Sequence, residues 1–326
     1  MRFLIAMLLL ATASSFQSPV RQLPSDDAIR LREFYRLAAR IQDQLWPDWD
    51  KVPAPILVVT DGAEFLMHHP APPKEFARVA DDLFVRARKF PPSFLATFPA
   101  FGPPAVIVVG EPKNTESKTS TPWLFAVMHE HFHQLQYAQP GYYTGVEGLG
   151  LSHGDQTGMW MLNYPFPYEK PEVAQGFSRL RDLLLAAVTE KRDSEFDKLA
   201  RRYVTEREKF LAQLSAEDHK YFGFQLWQEG VARYTQIRAA EVAASYQPSE
   251  EYANLADFES FAAYGGRARQ ETLDELKRAD LAKIKRVAFY SFGAAEGLLL
   301  DRLKPKWKSE YFRHMFSTDS YFTPGR

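Results

Sequence analysis

The sequence predicts an α+β fold, mostly α, on three observations. Two β-branched runs, 56–60 and 105–112, lie in the first third of the chain. From Thr121 onward almost every stretch repeats apolar residues at threes and fours, the spacing of a helix with one buried face. With 45% hydrophobic and 25% charged residues, the 326-residue chain can bury a core of its own.

Taken in order, 24–46 predicts a helix, because Ile29, Leu31, Phe34, Leu37, Ala38, Ile41 and Leu45 share one face. Ser25 or Asp26 can cap it and Pro47 stops it. The run 56–60 predicts a strand closed by Asp61-Gly62. The segment KEFARVADDLFVRARKF, 74–90, predicts a helix. A second buried strand is expected at 105–112, with further strand near 94–100, then a polar loop from Lys113. Thr121 is the expected cap of the next helix, with Pro122 at its first position and Pro140-Gly141 at its end. The Gly- and aromatic-rich stretch 141–169 is expected to be irregular, either lining a cleft or pinned as a surface loop. Helices are expected at 171–191, 195–214, 216–246, 273–281 and 283–303. Ser194 and Ser215, each with Asp three residues on, read as capping boxes. Residues 19–326 are expected to form one catalytic unit, with an α/β part at 19–120 and a helical part at 121–326.

The opening MRFLIAMLLLATA, 1–13, has the charge, short apolar run and small residues of a secretory signal. It predicts a secreted or periplasmic protein with no membrane anchor once the signal is cleaved. A formal net charge of −1 offers no basic field for nucleic acid. Without cysteine there is neither a disulfide framework nor a thiolate ligand, so any metal must be held by His, Asp and Glu.

Such a set is present. His129-Glu130-His131-Phe132-His133 fits H-E-x-x-H. On a helix, His129 and His133 lie four apart and share a face, so two imidazoles can meet one ion. Glu130, about 100° around the helix, can act as a general base on water there. Neutral imidazole suits zinc, and one Zn2+ is the expected cofactor. His131 points away from the pair. Three Glu-Gly pairs follow, Glu147-Gly148, Glu229-Gly230 and Glu296-Gly297. A glutamate on a helix packed across the motif helix is the natural third donor, which favours Glu229, with Glu147 and Glu296 as alternatives. Gln136, one turn past His133 on the same face, can touch the site.

HEHFHQLQY, followed about a hundred residues later by WQEGVARY, resembles the gluzincin branch of zinc peptidases. The resemblance rests on these two short motifs. It implies a zincin-like fold, with a small twisted sheet packed on the motif helix and a helical subdomain after it. The implied activity is that of a metallopeptidase acting on a peptide or protein substrate. In it His129, His133 and Glu229 bind the metal and Glu130 is the general base. Many gluzincins carry Asp four residues after the ligand Glu, to orient a histidine; here Arg233 stands there. Tyr290, Tyr234 and His153 are the candidate donors to a developing oxyanion. Alternatives are a zinc hydrolase of a non-peptide substrate and a non-catalytic binding protein of the same build.

Overall fold

A computed structural model describes residues 22–322; the expected signal at 1–13 lies outside the described residues. Helix α1, Ser25–Leu45, leads into six strands: β1 Ile56–Val59, β2 Ala63–Met67, β3 Ala77–Ala80, β4 Leu83–Ala87, β5 Leu95–Phe98 and β6 Val106–Gly110. The helices that follow are α2 Ser120–Tyr137, α3 Tyr142–Gly148, α4 Trp160–Asn163, α5 Pro171–Thr189, α6 Asp193–Leu211, α7 Ala216–Gln225, α8 Val231–Ala243, α9 Glu250–Ala253, α10 Phe261–Arg278, α11 Leu281–Ile284, α12 Ala288–Leu303 and α13 Asp319–Phe322. The chain is mostly helical, with one small mixed sheet of six strands, as the sequence predicts. No described helix is long and apolar enough to cross a membrane.

The sheet order is β3-β4-β2-β1-β6-β5, and only β1 and β6 pair in parallel. These two central strands are covered on both sides, which is why they read as unbroken apolar runs. Ile56, Val58, Ile107 and Val109 join the main core with α1 and α2. Leu57, Val59, Val106 and Val108 face a second cluster against Phe90, Phe94 and Phe98. Helix α2 packs on β5 and β6. Two polar ties fix it there: Trp123 Nε1 donates to Gly110 O at 2.8 Å, and Gln134 Nε2 donates to the carbonyls of Pro55 and Ala105. Although α1 precedes the sheet, it packs on α2 and α8 and so completes the helical layer.

Several expectations are corrected. The expected helix at 74–90 is the antiparallel pair β3–β4, turned at Asp82 with φ 58°. Aspartate tolerates that left-handed conformation, and pairing with β2 overrides the local helical preference. Helix α2 starts at Ser120, so Thr121 lies inside it and its hydroxyl donates to Glu259 O. Ser194 likewise falls inside the first turn of α6, whereas Ser215 does cap α7, accepting from the Asp218 N–H. The irregular 141–169 stretch contains α3 and α4. The expected helix at 273–281 begins much earlier, at Phe261. The one at 283–303 is interrupted at Lys285, φ 50°.

The expected continuous helix 216–246 is also interrupted, by a π turn over Leu226–Gly230. There the Val231 N–H bonds Leu226 O instead of Trp227 O. This turn crosses α12 at two glycines. A Cβ on Gly230 would lie 2.5 Å from Gly293 Cα, and one on Gly293 would lie 2.5 Å from Gly230 Cα. Alanine normally gains about 1 kcal/mol over glycine inside a helix. Here the clash is backbone on backbone, so Gly293→Ala is expected to destabilise by about 3 kcal/mol net. A denaturant midpoint shifted down at unchanged slope checks this.

Candidate functional site

The motif helix brings His129 and His133 onto its inner face as the spacing requires. Both are buried, with their Nε2 atoms 3.2 Å apart. The π turn of the crossing chain delivers Glu229. Its Oε2 lies 3.6 Å from His129 Nε2 and 3.3 Å from His133 Nε2. Glu130 also offers a carboxylate oxygen within 4.8 Å of ligating atoms of both histidines. This buried His/Glu group could hold a metal ion.

The two glutamates differ in how they are held. The Thr97 hydroxyl, on the edge strand β5, lies 2.8 Å from Glu130 Oε2 and donates to it, with Glu130 O at 3.0 Å as a second acceptor. Glu229 instead faces both imidazoles. The nearer carboxylate, and the one that closes a triangle with the two Nε2 atoms, is Glu229.

Burial opposes a charge on the His133 ring. The carboxylates of Glu229 and Glu130 outweigh it and push the His133 pKa up to about 9. Burial likewise opposes charge on Glu229, yet His133 and His129 hold its pKa well below the usual carboxylate range. For His129 burial dominates and the pKa falls. The group is therefore built to keep Glu229 anionic at neutral pH.

Gln136 sets the direction of His133. Its Nε2 donates to the carbonyls of Trp227, at 3.0 Å, and Gln228, at 3.1 Å. Carbonyls only accept, so the amide is oriented with Oε1 toward His133 Nδ1, 2.7 Å away. In the neutral ring, the form that binds a metal, this makes Nδ1 the protonated nitrogen and leaves the Nε2 lone pair toward His129 and Glu229; without an ion the raised pKa keeps a second proton on Nε2, facing Glu229. The longer 3.1 Å approach of Gln228 Nε2 to the same Nδ1 is the weaker contact. The Trp227 carbonyl is available to Gln136 because the π turn has redirected the Val231 N–H. It also accepts from Tyr311, 2.5 Å away. One side chain thus ties the histidine helix to the glutamate turn. Gln136→Met is expected to lower divalent-metal affinity by about 10–100-fold, measured by competition with a chromogenic chelator.

Of the candidate oxyanion donors, the structure brings one to the cluster. The Tyr290 ring stacks on His129, centroids 6.1 Å apart and planes 7° apart. Its hydroxyl accepts from Arg286 Nη1 at 2.9 Å. Burial, and next the Glu229 carboxylate, push the Tyr290 pKa up, so it stays a neutral donor. Tyr234 is not at the site: its hydroxyl donates to Asp301 at 2.7 Å and its ring packs on Gly297 and Trp307. His153 is exposed, 3.5 Å from Glu217.

The alternative third donors are also elsewhere. Glu147 is exposed on α3. Glu296 is buried, but binds Tyr203, Arg207 and Thr318. His131 is packed between Gln42 and Gln134, and burial lowers its pKa to about 4. Arg233 pairs with Glu275, so the position that many gluzincins fill with Asp takes no part.

Sequence reasoning missed Thr97, Arg286 and Tyr137, whose ring stacks on His133 at 6.2 Å. No local pattern marks a strand threonine or a tyrosine as facing a particular helix. Compared with known proteins, the chain matches no family model, no curated protein and no solved structure.

Proposed function

We propose that the chain is a zinc-dependent hydrolase of the gluzincin type, a metallopeptidase with a zincin-like arrangement of sheet and motif helix. The observation that carries this reading is the triangle of donors. His129 Nε2, His133 Nε2 and Glu229 Oε2 are separated by 3.2, 3.3 and 3.6 Å. Ligands of a tetrahedral zinc lie about 3.3–3.4 Å apart, given bonds of about 2.0–2.1 Å. Two imidazoles and one carboxylate, with a fourth position left open, are also the donor set of catalytic zinc.

Bound there, the ion supplies Lewis-acid polarisation of a substrate carbonyl and acidifies water. The remaining work falls to the chain. The Glu130 carboxylate, steadied by the Thr97 hydroxyl, takes a proton from the attacking water and returns it to the leaving amine. Tyr290 donates its hydroxyl hydrogen to the developing oxyanion. The Arg286 N–H on the Tyr290 oxygen polarises that hydroxyl and strengthens its donation.

A peptide substrate is supported by β5, which ends the sheet order and carries Thr97. Its free edge offers main-chain partners to an extended chain beside Glu130. The signal-like residues 1–13 are the support for a secreted or periplasmic location. A mixed peptide library incubated with the zinc-loaded protein tests the reading. Cleavage that stops on chelation and returns with zinc is expected; a zinc-loaded protein that cleaves nothing overturns it.

A further inference from the structure

Arg286, which holds the Tyr290 hydroxyl, has hydrogen-bonding capacity left over. It is half-buried, and Tyr290 is its one hydrogen-bond acceptor among the described residues. No carboxylate of the described residues forms an ion pair with it. A guanidinium has five N–H donors, so most of its fork is unused. The fully buried arginines of the described residues are all matched: Arg207 by Glu296 and Asp319, Arg86 by Glu64 and Glu75, Arg30 by Asp27 and Asp257. The neighbouring lysines are matched too, Lys285 by Glu169 at 3.5 Å and Lys170 by Glu172 at 3.0 Å. Glu229 acts on Arg286 only through space, so this partly desolvated cation has no carboxylate in contact and can take an anion that visits it.

Its surroundings have the shape for a visitor. Arg286 lines a cavity of about 540 Å³ together with Leu162, Tyr164, Phe166, Tyr168 and Lys285. That volume is within the range of small-molecule sites; the walls are part aromatic and part polar, and the one carboxylate among them, Glu169, is taken up by Lys285. The cavity adjoins the metal cluster through a single residue. Tyr290 accepts from Arg286 on one side and stacks on His129 on the other.

We propose that Arg286 forms a carboxylate-binding subsite beside the metal cluster, and that the chain prefers substrates with a free carboxylate close to the bond it cleaves. The planar fork matches a carboxylate bidentately. A single guanidinium within reach of the Glu229 charge suits a monoanion better than a phosphate dianion. The carboxylate can be a chain terminus or an acidic side chain. The proposal rests on the hydrolase reading for its substrate, but binding tests it without turnover.

The probes are three N-acetylated tripeptides: Phe-Ala-Phe with a free C-terminus, the same peptide as its C-terminal amide, and Phe-Glu-Phe amide. Affinity for each is measured by calorimetry on zinc-loaded Glu130→Gln protein, with and without Arg286→Ala. The free acid is expected to bind about tenfold or more tightly than its amide, the size of a charged hydrogen bond. Arg286→Ala is expected to bring the two within about twofold, at unchanged zinc content. Arg286→Lys, which keeps charge without the fork, is expected to fall between. If the Glu-containing amide alone gains over the plain amide, the subsite stands and reads an acidic side chain. Equal binding of all three, no binding, or a preference that survives Arg286→Ala overturns the proposal. Preferential binding by a wild-type chain that cleaves no peptide upholds the subsite and overturns the peptidase reading, so the two failures are distinct.

Discussion

Glu130→Gln is expected to lower turnover by about 10²–10⁴-fold while the protein keeps its zinc. The amide has nearly the shape of the carboxylate and can still accept from the Thr97 hydroxyl, so the local structure is retained. What is lost is a base. An amide oxygen does not take a proton from water near neutral pH, and nothing else at the cluster replaces it. The neighbouring Glu229 faces His129 and His133, which hold its pKa well below the usual range. It is therefore a poor proton acceptor. Measuring kcat/KM together with metal content makes the result decisive. Since Glu130 also lies within 4.8 Å of the histidine donors, a ligand role is the competing reading. Loss of zinc in Glu130→Gln would assign it that role and leave the water without a base. Loss of turnover at full zinc occupancy keeps it as the base.

Much of this site was legible in the sequence because it depends on one period. His129 and His133 meet because four residues nearly complete a helical turn, and Gln136 follows His133 on the same face for the same reason. The central strands were legible because burial on both sides demands continuous apolar residues, as in Ile56–Val59 and Val106–Gly110. Strands β3 and β4 were not. Three of the four β3 residues are exposed, and the alanines, arginines and aspartates around them carry no alternation that outweighs a helical reading. Tyr234 was misplaced for a reason that could have been seen. It lies five residues past Glu229, about 140° around a helix, and so faces α12. The π turn was invisible, since no residue type encodes it. Its cause is tertiary: Gly230 against Gly293 on one side, and Gln136 and Tyr311 on the Trp227 carbonyl on the other. Arg286 escaped notice because an arginine lacking a partner looks the same in a sequence as one that has it.

Removing a donor of the triangle is expected to weaken zinc binding by about 10²–10³-fold per residue. Four-ligand zinc sites hold their ion with roughly 10–16 kcal/mol, which is about 2.5–4 kcal/mol per ligand. His133→Ala and Glu229→Ala should therefore both leave the protein largely metal-free after dialysis against a weak chelator, as elemental mass spectrometry would show. Glu147→Ala, an exposed change on α3, should retain the metal. Glu296→Ala separates two roles that the sequence left open. It strips the buried Arg207 of one of its two carboxylate partners and leaves Tyr203 unpaired, so a loss of stability of about 3–5 kcal/mol is expected. Whatever fraction folds should still bind zinc with wild-type affinity. The wild-type chain offers an independent check. Stripping the ion should lower its thermal midpoint, and zinc should restore it in proportion to the logarithm of free ion concentration. Glu229→Ala should show no such response at the same concentrations. A full metal complement in Glu229→Ala would move the third donor to Glu130, whose carboxylate is grouped with both histidines. The division of labour between the two glutamates would then have to be reversed.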